Sequence, residues 1–242
     1  MRLKYVKTTN HNRFMAGTQA VERGGSPEAR IHLLNGDPGT GKTKTVDHYG
    51  AARDAIYIEG MPGMDLRYMR DYLADQTAVK FATKFEQDKG LVEHFRRTKK
   101  PIILDECQHG LSAKAQVVEY LRRIAEQSGV ILVLVCHTSE VYRFGEKHMA
   151  HIATRIAAQT ELKPATPEDC GFYLAELCEV GVDDKIIAAA HEQSGGRYRL
   201  LNNAVITLEA IAEKLGKDAL AAADIKGIRL CEDAMKLGKR GR

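Results

Sequence analysis

Apolar positions along the chain follow two regimes. As far as about residue 163, short runs that are almost wholly apolar alternate with stretches of helical period. Residues 31–35, 55–59, 101–105, 130–136 and 158–162 read as strands. Helical patterns begin at about 42 and cover 65–74, 84–97, 113–127 and about 140–151. A run apolar at every position suits a parallel strand covered on both faces. Strands alternating with helices therefore predict an α/β fold, a three-layer sandwich around a parallel sheet. Beyond Pro164 and Pro167 the strand pattern stops. Thr166 with Asp169 makes a capping-box-like start, and helical patterns follow over about 167–180, 182–193, 197–215 and 217–236. The expected division is a core over 1–163, with an N-terminal arm, and a small all-helical domain over 164–242 with a basic tail.

Composition agrees with a globular chain, since 44% hydrophobic residues suffice for a core. The longest apolar run, 130–136, is far shorter than the roughly 18 residues of a membrane helix. The first residues carry no apolar segment of the secretory kind. Five cysteines lie far apart with no CxxC pair, which argues against a disulfide framework or a zinc site and fits the reduced cytoplasm. A net charge of +4 does not by itself demand nucleic acid. The charge is uneven, however. Arg2, Lys4, Lys7 and Arg13 precede any acid, and Lys236, Lys239, Arg240 and Arg242 follow the last one. Such ends are either solvated tails or contacts for a polyanion.

The chemistry is concentrated after the first strand. Gly36-Asp37-Pro38-Gly39-Thr40-Gly41-Lys42-Thr43 matches G-x-x-x-x-G-K-[ST] at every fixed position, between a buried strand and a helix start. Glycines let backbone N–H groups close around phosphates, and the helix N-terminus adds partial positive charge. Lys42 would reach the β- and γ-phosphates of ATP, and the Thr43 hydroxyl would ligate Mg²⁺. Thr45 joins the candidate nucleotide-binding set. The third strand ends in Asp105-Glu106, one carboxylate to hold Mg²⁺ and the next to polarise an attacking water. No guanine-type NKxD motif is present.

Taken in order, these elements resemble an AAA+ ATPase across essentially the whole chain. Within that superfamily the chain is similar to the phage Mu transposition protein B group, with its IstB-like and Tn-type target-selector relatives. The residues behind this are Tyr5-Val6-Lys7-Thr8, Asn12-Arg13-Phe14, the compact 36–43 loop, the two-helix segment before the third strand, and Glu140-Val141-Tyr142. The resemblance implies several roles. The tip of the fourth strand, His137 or Thr138, would position water. Arg155 would be an arginine finger for a neighbouring subunit, and Arg199, in Gly195-Gly196-Arg197-Tyr198-Arg199, a second sensor. Either arginine could instead make a surface ion pair. The chain departs from the Mu pattern in lacking its N-terminal helix-turn-helix domain and in reading His-Thr where Asn is usual.

Members of that group, as the resemblance implies, polymerise on double-stranded DNA in the ATP state and deliver target DNA to a transposase. This chain would then be a homo-oligomer, filament or ring, in the cytoplasm of a bacterial host if phage-encoded. In that group the segment after the second strand and the helix start after the third line the central channel, so the resemblance implies Arg67, Arg70, Lys80, Lys84 and Lys114 as candidate DNA contacts. Phosphates ask only for positive charge, so spacing does not discriminate among them. Two other readings share the fold: a replicative helicase loader, and a signalling or defence ATPase that does not touch DNA.

Overall fold

The computed structural model describes residues 1–24, 26–80 and 82–233. The basic cluster from Lys236 to Arg242 and the last residues of the helix expected over 217–236 lie outside the described residues. Two compact units form. One comprises Arg13–Gly36 and Lys42–Glu161; the other comprises Met1–Asn12, Asp37–Gly41 and the described residues from Leu162 on.

In order, the elements up to residue 162 are α1 (Thr9–Arg23), β1 (Ile31–Gly36), α2 (Lys42–Arg53), β2 (Ile56–Glu59), α3 (Leu66–Thr77), α4 (Lys84–Thr98), β3 (Ile102–Asp105), α5 (Ser112–Ser128), β4 (Leu132–His137), α6 (Ala150–Ala153) and β5 (Ile156–Leu162). The five strands make one sheet in the order β2-β3-β4-β1-β5. β2 with β3, β3 with β4, and β4 with β1 are parallel. Alternation along the strands sorts the side chains into two layers. Ile31, Leu33, Ile102, Leu104, Leu132 and Leu134 pack with Met69, Phe95, Val118 and Leu121 of α3, α4 and α5. The opposite face carries Ile103, which meets Gly50 of α2, and His32, which stacks on Phe14 of α1. Helices on both faces explain why the central strands β3 and β4 are almost wholly apolar and buried.

Helix starts follow side-chain chemistry. Asp65 accepts from the Tyr68 N–H at 2.8 Å, and Thr83 accepts from that of Glu86 at 3.3 Å, so each satisfies an otherwise orphaned donor.

The second unit contains α7 (Pro167–Leu177), β6 (Gly181–Val182), α8 (Asp184–Ser194), α9 (Tyr198–Leu215) and β7 (Ala219–Leu220). Cys170, Leu174, Ile186, Leu201, Val205 and Leu208 fill its core. Thr166 accepts from the Asp169 N–H at 3.1 Å, as the capping-box reading anticipates. The N-terminal segment belongs here: Lys4 pairs with Glu176 at 2.6 Å, and the Thr9 hydroxyl donates to Asp169 at 2.7 Å.

Several expected elements differ. The segment read as an arm includes the helix α1; Gly17 and an opening Thr-Asn-His-Asn dilute its pattern, although Phe14, Thr18 and Val21 are buried at helical spacing. The helix expected over 140–151 is replaced by 3-10 turns at Thr138–Gly145 and Lys147–Met149 before the short α6, because Glu146 adopts an extended backbone. The expected final helix does not form over the described residues. Gly216, left-handed at φ 63°, ends α9, and the two-residue β6-β7 pair replaces a wholly helical arrangement.

Candidate active site

The loop after β1 turns through two left-handed glycines, Gly39 at φ 85° and Gly41 at φ 91°. A side chain at either would strain the backbone. In the second unit, the Gly39 carbonyl accepts from the Tyr198 N–H at the start of α9 at 2.8 Å. A Cβ at Gly39 would meet the Arg197 side chain at 3.2 Å. The Asn10 amide donates to the Thr40 carbonyl at 3.2 Å and to that of Lys163 at 2.7 Å. Arg199 is exposed in the first turn of α9, while Arg197 is tied to Asp233.

In the α/β unit, Lys42 is only 7% exposed and its ammonium donates to the Gly36 carbonyl at 2.7 Å. Thr45 is buried one turn into α2. The Thr43 hydroxyl donates to Asp105 Oδ2 at 2.8 Å. Asp105 ends β3, nearly sealed from solvent, and its Oδ1 accepts from the Glu106 N–H at 2.8 Å. The Tyr57 hydroxyl, from β2, also donates to Oδ2, at 2.8 Å. Burial first, then the Asp105 carboxylate, pushes the Tyr57 phenol far above its ordinary range, so it stays a donor.

Glu106 is a left-handed non-glycine residue at φ 48°. Gly60 explains part of this geometry. Its N–H donates to the Asp105 carbonyl at 2.8 Å, and a Cβ there would lie 2.4 Å from the Glu106 carbonyl oxygen. The Glu106 carboxylate accepts from Gln108 and faces His137 Nε2 at 3.8 Å. Register places His137 opposite Gly36, at the mouth of the loop. Thr138 turns instead to Asn35, whose amide donates to it at 3.4 Å. Burial raises the Asp47 carboxyl, Lys44 opposing and Asp105 adding to the effect.

Would this site take magnesium? A buried carboxylate and a hydroxyl 2.8 Å apart are hard oxygen donors, with further carboxylates alongside. Mg²⁺ uses one or two such protein groups and completes its shell with phosphates and water. The fit is good, and the buried Lys42 ammonium adds a positive charge suited to a polyphosphate.

Arg155 pairs with Glu28 and is partly exposed. Among the expected DNA contacts, Arg67 is fully out in solvent and 3.9 Å from Asp71, and Lys80, Lys84 and Lys114 are exposed. Arg70 differs. Its guanidinium is 3.3 Å from Asp88 and lies 5.0 Å over the Tyr120 ring, so it is committed within the unit. Sequence reasoning missed Tyr57 and Gly60, which no local motif marks, because each reaches the Asp105-Glu106 tip from an element distant along the chain.

Residues 27–144 match the family model described as AAA domain. No curated protein matches the chain. Among solved structures the chain is similar to Cdc6p from Pyrobaculum aerophilum, with a TM-score of 0.65 at 18% identity over 98% of this chain and 70% of that one. It is similar to the ORC2 protein of Aeropyrum pernix, with a TM-score of 0.64 at 18% identity over 96% of this chain and 68% of that one. Domain III of the replication initiation protein DnaA from Thermotoga maritima aligns with a TM-score of 0.55 at 15% identity, over 90% of each chain. The fold is thus the α/β P-loop AAA+ fold.

Proposed function

We propose that this chain is a Mg²⁺-dependent ATPase that binds double-stranded DNA in its ATP state, assembles on it as a filament or ring, and delivers it to a transposase. The observation that carries the ATPase reading is the Thr43–Asp105 pair at 2.8 Å, beside a buried Lys42. Lys42 would hold the β- and γ-phosphates, and Thr43 with Asp105 would hold the metal. Magnesium, when bound, neutralises charge on the phosphate oxygens. Glu106 would accept a proton from the attacking water, and His137, 3.8 Å away, would orient that water. Arg155 would leave Glu28 to reach a neighbouring subunit's nucleotide. That exchange is cheap, since an exposed ion pair is worth ~0–1 kcal/mol. Arg199 would act as the second sensor.

The DNA part rests on the resemblance to the Mu transposition group and on exposed cations at Arg67, Lys80, Lys84 and Lys114. A repeated assembly multiplies weak phosphate contacts along one duplex. The likeness to a replication initiation protein favours a second reading, a helicase loader; that reading requires a helicase partner in place of a transposase. No described helix is long and apolar enough to cross a membrane, and the proposed setting is the cytoplasm.

Duplex binding measured with ATP, with ADP and across salt tests the proposal. Affinity should need ATP, fall steeply with salt and ignore base sequence. Combined Lys80→Ala, Lys84→Ala and Lys114→Ala should weaken it for all sequences alike while basal turnover persists. Absence of duplex binding in every condition would refute the DNA role and favour a signalling ATPase.

A further inference from the structure

A carboxylate offers about four lone-pair sites to donors, and Asp105 has three of them filled. Oδ1 takes the Glu106 N–H, and Oδ2 takes both the Thr43 and Tyr57 hydroxyls, each at 2.8 Å. The first two donors come with the nucleotide-binding motifs. The third does not: Tyr57 sits on β2, and its backbone is anchored separately, its carbonyl accepting from the Tyr72 hydroxyl at 2.7 Å. The terminal torsion of an aspartate is broad and two-fold, so once the Thr43 hydroxyl turns to a cation, a carboxylate held by the Glu106 N–H alone could still rotate. A donor fixed to β2 stops that rotation and leaves one lone-pair direction open.

We propose that Tyr57 is a positioning residue for the magnesium–nucleotide complex, its hydroxyl holding the Asp105 carboxylate in the orientation that presents the open lone pair to the cation. The inference rests on the ATPase reading above and deepens it. Tyr57 need not touch the metal or the nucleotide. Its effect is on how much magnesium the chain needs, because a partner that orients a ligand typically accounts for ~10–100-fold in metal affinity.

The test uses the full chain and a fluorescent, non-hydrolysable ATP analogue, titrated first in chelator and then with rising Mg²⁺. Tyr57→Phe removes one oxygen and keeps the ring. It should raise the Mg²⁺ midpoint by ~10–100-fold, as loss of an orienting partner does, with affinity in chelator unchanged. Tyr120→Phe removes a hydroxyl that bonds Asp88 in the same unit, touching neither Tyr57 nor Asp105, and should leave the midpoint where it was. A Tyr57→Phe midpoint within twofold of the parent overturns the inference. So does an equal shift in Tyr120→Phe, which would make the effect a general one of hydroxyl loss. Asp105→Asn separates the two levels of the argument: if neither it nor the parent shows any magnesium dependence, the ATPase reading itself fails.

Discussion

Replacing Gly17 by alanine sets two physical effects against each other. Gly17 lies inside α1 at negative φ, where alanine should stabilise the helix by ~1 kcal/mol. The surroundings oppose this. A Cβ built there lies 2.5 Å from the Thr160 hydroxyl and 2.6 Å from His32 Nε2. These two atoms hydrogen-bond each other at 2.9 Å, so the methyl wedges into the bond. The ring cannot easily retreat: its Nδ1 is bonded to Thr18 at 3.1 Å, and its face is stacked on Phe14 at 5.0 Å. Overpacking a close-fitted site costs ~1–3 kcal/mol, and leaving a buried polar group unpaired costs ~1–3 kcal/mol. The net expectation is destabilisation by ~1–5 kcal/mol once the helix gain is subtracted. Urea unfolding followed by far-ultraviolet circular dichroism measures it, since the chain has no tryptophan. An alanine variant as stable as the parent, or more so, would show that helix propensity wins and that the buried His32–Thr160 contact is soft.

Burial lowers His32 to about 4, below the ~6.5 of an unfolded chain, so the unfolded state protonates first. Stability carried by the neutral ring is whole above pH ~6.5 and is lost as pH falls toward about 4. An imidazole titration followed by nuclear magnetic resonance should find His32 still neutral at a pH one unit below the ordinary histidine value; protonation there in the folded chain would contradict its burial. Lys42→Ala should abolish nucleotide binding, whereas Glu106→Gln should retain it and slow turnover by ~10²–10⁴-fold; unchanged turnover in the second variant removes Glu106 as the base. Mixing Arg155→Ala with Glu106→Gln should restore part of the ATPase rate at interfaces that pair an intact arginine with an intact carboxylate. No recovery, with assembly normal, would leave Arg155 as the structural partner of Glu28.

Much of this molecule is written locally. The run at 130–136 is apolar at every position, and those at 31–35 and 101–105 are mostly so, because both faces of β1, β3 and β4 are covered, and that demand is legible in the sequence. The 36–43 loop and Asp105-Glu106 are equally local, since phosphate cradles and strand-tip carboxylates use fixed spacings. Helix starts at Asp65, Thr83 and Thr166 follow from one side chain and one N–H. What tertiary structure decided lies where the cause is remote. α1 is a helix that its own sequence only weakly encodes, and it packs on the sheet through Phe14, Thr18 and Val21. The stretch after Gly216 carried a helical period, yet over the described residues a left-handed cap and strand pairing took precedence. Arg70 looked like any other surface cation until α4 and α5 brought Asp88 and Tyr120 against it. Tyr57 was one aromatic in a short strand, and only the β2–β3 pairing put its hydroxyl on Asp105. Periodicity and motifs report what a residue's own segment requires, while these four depended on partners that arrive through folding.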